Sequence, residues 1–158
     1  MKIRVVTPAE WPRLRPLVLA LVHRHGDRRI THRAIRWLRD LKPSELNQPG
    51  TLIVLARTDR GRIAGCLAAK DFGRSESLIV VHSACRRRGI AKALTAAVIR
   101  RLGKLYVRVA VDNVPSLKTC FSLGMVAFHL FTGPTGKPTL WLGCGDWRPE
   151  DVDTSRHA

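Results

Sequence analysis

The chain has 158 residues, 45% of them hydrophobic, which fits one domain with its own core and excludes a disordered polypeptide. Lysine and arginine number 28 against 12 acidic residues, a net charge of +16, and 21 of the 28 are arginine. Such a field favours anionic partners (nucleotide cofactors, nucleic acids, acidic molecules or membrane surfaces) and carries no information about fold.

Residues 2–6, KIRVV, read as a short strand. Thr7-Pro8-Ala9-Glu10 is a capping box with proline at the first helical position. The helix it opens carries Trp11, Leu14, Leu17, Val18 and Leu21 at helical spacing and fades near Gly26. A second helix is expected from Thr31 to Leu41, with Ile35 and Leu38 inward, stopped by Pro43. Residues 51–58 and 63–72 form a hairpin around the turn Asp59-Arg60-Gly61-Arg62. Residues 77–81, SLIVV, are a nearly continuous apolar run, the pattern of a strand buried on both faces.

Residues 89–102 form a helix with Ile90, Leu94, Val98 and Leu102 on one face. Residues 105–112 alternate, with Leu105, Val107, Val109 and Val111 on one face and Tyr106, Arg108 and Ala110 on the other. A further helix runs from Asn113 as N-cap to Gly124 as its terminal glycine. Residues 126–131 and 139–143 make a last hairpin around TGPTGKP, and the polar residues from Asp146 onward read as a frayed tail. The order β-α-α-β-β-β-α-β-α-β-β describes a mixed α/β domain over residues 1–145, with helices flanking a central sheet, followed by a tail over 146–158.

Cysteines 66, 85, 120 and 144 form no C-x-x-C pair and have no histidine at zinc-finger spacing, so no metal site is expected. Residues 1–10 lack the apolar core of a signal peptide, and the run from Leu17 to Val22 is too short to span a bilayer. A soluble cytoplasmic protein with reduced thiols and no membrane partner is the expectation.

The stretch CRRRGIAKAL, residues 85–94, joins a strand to a helix through a basic turn containing Gly89. Free N–H groups and a partial positive charge at a helix N-terminus attract phosphates. Gly89 allows close approach of a ligand, and Ala91 is too small to obstruct it. A solvated basic turn without a ligand has the same pattern, so the loop alone leaves both readings open. GPTGKPT, residues 133–139, only imitates a nucleotide P-loop: its glycines stand too close, and a strand follows where a helix is required.

VVHSACRRRGIAKAL, residues 80–94, resembles motif A of the GNAT acetyltransferases, Arg/Gln-x-x-Gly-x-Gly/Ala, with Arg86, Gly89 and Ala91 in the key positions. VDNVPSLKTCFSLGM, residues 111–125, is similar to the family's second motif, with Asn113, Ser116 and Gly124-Met125 in place. The resemblance spans nearly the whole chain and implies a GNAT-type fold. It implies acetyl-CoA as cosubstrate and transfer of an acetyl group to a primary amine. In the family the pantetheine arm lies along the fourth strand, here Ile79, Val80 and Val81, which bulges and splays from the fifth. The pyrophosphate would sit on the turn of Arg86, Arg87, Arg88, Gly89, Ile90, Ala91 and Lys92, with Asn113 and Ser116 near the cofactor.

The family's tyrosine general acid is replaced by Cys120, which either donates a proton weakly or simply packs as a small buried hydrophobe. Glu76 stands one residue from the family's usual glutamate, a shift that a bulge would correct. His82 and, more weakly, His129 are further candidates for a base. The uncertain acid and base keep open a non-catalytic acyl-CoA-binding domain, and the charge keeps open an RNA-associated acetyltransferase acting on aminoacyl-tRNA. Arg28, Arg29 and Arg33, with only Asp27, Asp40 and Glu45 as acids nearby, imply a neutral or anionic acceptor, RNA-borne amines included. A monomer and a homodimer are both compatible with the sequence.

Overall fold

A computed structural model describes residues 1–157. Its strands are β1 (Lys2–Val5), β2 (Leu52–Arg57), β3 (Ile63–Lys70), β4 (Glu76–Val81), β5 (Lys104–Ala110), β6 (Val126–Thr132) and β7 (Pro138–Gly145). Its helices are α1 (Trp11–His25), α2 (His32–Asp40), α3 (Ile90–Leu102) and α4 (Val114–Ser122). The expected order is observed. The β layer is two antiparallel sheets, β1-β2-β3-β4 and β5-β7-β6.

Helices α1 and α2 cover one face of the first sheet, where Trp11, Leu14, Val18 and Leu38 pack on Ile53, Leu55, Leu78 and Val80. Helix α3 covers the opposite face, with Ile90, Leu94 and Val98 on Val54, Ala64 and Leu67, and α4 extends this core through Cys120 to Leu142. The capping box forms, the Glu10 carboxylate accepting from the Thr7 N–H at 3.0 Å, although regular helix begins one residue later, at Trp11. The Trp11 indole donates to the Leu41 carbonyl at 2.9 Å and ties the start of α1 to the end of α2.

Three expectations change. Leu17 is 54% exposed, because it lies roughly a quarter turn off the stripe of Trp11, Leu14, Val18, Leu21 and Val22. Strand β3 stops at Lys70, because Asp71 and Phe72 enter the left-handed region. The tail is not frayed at residues 147–152. Trp147 stacks on Phe128 at 5.1 Å, Val152 is buried, and the Asp151 carboxylate accepts from the Tyr106 hydroxyl and from Lys104 Nζ at 3.3 Å. The tail therefore covers the second face of β5, where Tyr106 is fully buried. Its apolar content, one tryptophan and one valine among charges, is too sparse to show a period.

Two restraints fix β4 against its surroundings. At its lower end Gly73 (φ +87°) lies against the backbone of β5, where a Cβ would come within 2.0 Å of the Tyr106 carbonyl oxygen. Two residues on, the Ser75 carbonyl accepts from Arg108 Nη2 at 3.2 Å. At its upper end α1 is clipped to the turn after β4. Arg86 donates to the carbonyls of His25 (2.8 Å) and Val81 (3.4 Å) and pairs with Asp27 at 2.8 Å. The His25 and His82 rings lie 4.0 Å apart, and their Nδ1 atoms accept from the N–H groups of Ser83 and Ala84.

Gly73→Ala is expected to cost on the order of 3 kcal/mol, combining backbone strain with the collision on Tyr106. Gly103→Ala, at φ +81° but with open space around it, should cost only about 1–2 kcal/mol. Urea denaturation of both variants measures the difference. The histidine clip also makes stability pH-dependent. Desolvation, then the His82 and Arg86 charges, hold His25 below the ordinary histidine value. The folded state therefore binds fewer protons than the unfolded state just below about pH 6.5. Stability present above that value is lost as pH falls through it. The urea midpoint should drop between pH 7.5 and pH 5.5, and the drop should shrink in His25→Gln. The shifted carboxylates Glu10, Asp40, Asp112 and Asp151, all lowered, lose their contribution only at more acidic pH.

Candidate functional site

Among the described residues, strand β4 has β3 as its only sheet neighbour. The His82 N–H donates to the Ala64 carbonyl on β3, so by antiparallel alternation the main-chain groups of Val80 also face β3. Those of Ile79 and Val81 face the other way, toward β5. Beyond Gly73 and Ser75 the strands β4 and β5 part, leaving a wedge whose wall is that unpaired edge. Pairing of β3 and β4 is regular from Lys70↔Glu76 to Gly65↔Val81, so β4 carries no bulge in this ladder. The splay comes from separation of the two sheets. Val80 is turned away from the wedge, its side chain buried against α1.

The wedge leads to the N-terminus of α3. Gly89 is the N-cap at φ +75°, no side chain caps the helix, and nothing lies within 4 Å of where a Cβ would project. Arg87 is also left-handed, at φ +64°. The turn thus has left-handed residues on both sides of Arg88, followed by uncapped N–H groups at Ile90 and Ala91, a backbone concavity suited to an anion. Helix α3 is seated by Gly65 on β3, where a Cβ would stand 3.1 Å from both Ile90 and Leu94. The exposed side chains of Arg87, Arg88 and Lys92 surround the turn. Arg86 differs from them, since its guanidinium is committed to the clip on α1.

On the segment that follows β5, Asn113 and Ser116 are half-buried at the start of α4. Asn113 takes the N-cap position but makes no side-chain capping bond, contrary to the expected cap. Cys120 is 8% exposed in the core beside Met125 and Val109. Burial, with Cys144 nearby, pushes its thiol up to about 11. Donation from such a thiol to a thiolate with a pKa of about 8.5 runs uphill. The only tyrosine, Tyr106, is occupied by Asp151 and Arg148 under the tail.

Glu76 is buried at the lower end of β4, with Arg33 Nε 2.8 Å from its Oε1. His82 is a poor base as folded, because Nδ1 accepts from Ala84 and a neutral ring then carries its proton on Nε2. His129 lies on β6, away from the α3 turn, with Nε2 buried and without a hydrogen bond in the structure. Sequence reasoning passed over His25 and Arg108. Arg108 faces the Glu76 side of the wedge from β5, 4.9 Å over the Trp141 ring, and desolvation lowers its affinity for its proton. Its place in an alternating strand marked it only as outward-facing.

A cavity of about 400 Å³ lies between α1 and α2, lined by Val22, His23, Arg28 and Ile35 among others. Among the described residues, no group of three or more histidine, cysteine or acidic side chains is placed to hold a metal ion. No helix among them is long and apolar enough to cross a membrane.

The overall fold has counterparts in known proteins. The chain resembles a ribosomal-protein-alanine N-acetyltransferase from Brucella melitensis, at 19% identity and a TM-score of 0.60, covering 92% of this chain and 99% of that one. It resembles a GNAT acetyltransferase from Streptococcus pneumoniae at 16% identity and a TM-score of 0.69, covering 91% and 98%. A variant of the spermidine N-acetyltransferase from Vibrio cholerae is similar at 13% identity and a TM-score of 0.66, covering 91% and 92%. Likeness at such identities speaks for the fold alone. Comparison with curated proteins found no match. A family profile, that of the acetyltransferase (GNAT) family, matches residues 18–125, from the middle of α1 to the end of the second motif. With both motifs inside that match and the strand order around them that of its structural relatives, the chain belongs to the GNAT family of acetyltransferases.

Proposed function

We propose that the protein is an N-acetyltransferase that moves an acetyl group from acetyl-CoA to a primary amine of a neutral or anionic acceptor. One observation carries this reading: the unpaired edge of β4 runs up to an uncapped helix N-terminus whose N-cap glycine leaves open space. The main-chain groups of Ile79 and Val81 suit a pantetheine arm. The N–H groups at Ile90 and Ala91, with Arg87, Arg88 and Lys92 around them, suit a pyrophosphate. Arg86 holds the turn in place, and Asn113 and Ser116 line the opposite wall.

Acetyl-CoA, when bound, supplies the activated acyl group as a thioester. The Val81 N–H is positioned to polarise its carbonyl. Glu76 is our choice as proton acceptor for the amine, directly or through water, since the basic nitrogen of His82 is taken by Ala84. No acid is assigned: a thiolate of ordinary pKa is a competent leaving group near neutral pH, and Cys120 serves packing.

The acceptor class follows from charge. Asp27 is paired with Arg86, Asp40 with Arg39, and Glu45 accepts from the Lys42 N–H. None is left to form an acidic pocket for a polycation, while Arg28 in the turn after α1 and Arg36 on α2 remain exposed. RNA-borne amines fall within the same class. Four free cysteines suit a reducing compartment, and the cytoplasm is part of this reading.

Calorimetry with CoA, and thiol release with acetyl-CoA and a panel of amines, test the proposal. Gly89→Glu should abolish CoA binding while costing only about 1–2 kcal/mol of stability, the strain of a side chain at a left-handed N-cap. Arg87→Ala should weaken binding only about tenfold, its charge being one of several. Equal effects of the two would contradict the main-chain cradle. CoA binding without thiol release from any amine would leave a binding domain instead. Glu76→Gln should lower kcat by roughly 10²–10⁴ with CoA affinity retained. Cys120→Ala should leave kcat within roughly threefold and cost about 1 kcal/mol of stability.

A further inference from the structure

Strand pairing places three side chains in one row across the second sheet. Arg108 on β5 is opposite Trp141 on β7, and Trp141 is opposite His129 on β6, so all three rise from the same face. This is the face toward which Glu76 projects from β4, and it is floored by the buried rings of Trp141 and Phe131. Arg108, His129 and the nearby Glu76 are each incompletely answered. The Arg108 guanidinium is desolvated and lies 4.9 Å over Trp141, and its recorded hydrogen bond is to the single Ser75 carbonyl. One carbonyl uses one of its five N–H groups. Glu76, the nearby carboxylate, has Arg33 Nε 2.8 Å from its Oε1, although that oxygen makes no hydrogen bond, which leaves two guanidinium groups to one carboxylate. His129 Nε2 is buried with no hydrogen bond.

We propose that Arg108 is a specificity-determining residue that takes a carboxylate carried by the acceptor near its amine, with Trp141 as the platform that orients the guanidinium. The inference rests on the reading of the wedge as an acetyl-transfer site. A carboxylate restores local neutrality, and the planar guanidinium fork accepts it through two parallel hydrogen bonds. Burial strengthens that pair, because water no longer competes for the same N–H groups. Glu76 then faces the amine end of a small zwitterionic acceptor, and Arg33, 75% exposed, stands at the entrance where it draws the anion inward.

Matched ligands test this: β-alanine against β-alaninamide and methionine against methioninamide, titrated by calorimetry into the protein saturated with CoA. Each pair differs only at the carboxyl group. The acid should bind about tenfold or more tightly than its amide. Arg108→Met should bring the ratio close to one, and Arg108→Lys should restore part of it through charge without the fork. Arg36→Met, which removes an exposed α2 charge, should change the ratio less than twofold. The ratio is internal to each protein, so partial loss of fold does not alter it, and the lysine variant carries the test if the methionine variant does not fold. Equal binding of acid and amide to the unmodified protein would overturn the proposal, as would equal effects of the Arg36 and Arg108 substitutions. Absence of thiol release with every amine, alongside a preserved preference for acids, would count against acetyl transfer and not against Arg108.

Discussion

The contact between Gly73 and the Tyr106 carbonyl fixes how two sheets meet. At that point β5 approaches the chain entering β4 so closely that no side chain fits between them. A few residues further on, the strands have parted. A parallel neighbour would have satisfied the N–H and C=O groups of Ile79 and Val81, and an exposed edge of this kind ordinarily invites association. Here it is recessed between two sheets, beneath α3 on one side and α1 and α2 on the other. Only a narrow extended group can reach it. The same geometry thus protects the edge from other strands and, apart from the Val81 carbonyl that Arg86 reaches at 3.4 Å, keeps its donors and acceptors available to a ligand.

The turn between β3 and β4 bears the strain of this arrangement. Asp71 and Phe72 are both left-handed, a conformation that costs side-chain-bearing residues of order 1–3 kcal/mol each. Local contacts hold them there: the Phe72 N–H donates to the Gly50 carbonyl at 2.9 Å, and Arg74 pairs with Asp71 at 2.7 Å. Without that compensation β3 would continue to residue 72, as its apolar sequence suggests, and β4 would start out of register with the wedge.

Helices, strand order and the α3 turn were legible because each repeats a local signal: a period, a glycine, a run of charge. The pairings were not, because they join residues far apart in sequence. Nothing near Glu76 announces Arg33, and nothing in CRRRG separates Arg86 from its neighbours. Arg86 stands out only when α1 ends beside it, with the His25 carbonyl and Asp27 in reach. The tail was misread for a related reason. Trp147, Asp151 and Val152 have no periodicity, and they pack only because Tyr106, Lys104 and Phe128 form a surface that accepts them. The bulge expected to bring Glu76 into the family's register is absent from the ladder with β3.

The tail also explains why the chain's one tyrosine has no part in the wedge. Tyr106 points to the face that carries Arg108, but its hydroxyl is closed off by Asp151 and by the Arg148 N–H at 2.9 Å. Burial pushes the phenol upward, and the Asp151 hydrogen bond acts in the same direction. The phenol is thus held protonated as a structural donor. The tail that it anchors covers the part of the β5-β7-β6 face around Tyr106 and Phe128. A residue type that would serve as an acid elsewhere in the family instead anchors the tail. Chemistry in the wedge must then rely on positioning and main-chain polarisation, the two contributions that a rigid splay of β4 from β5 is built to supply.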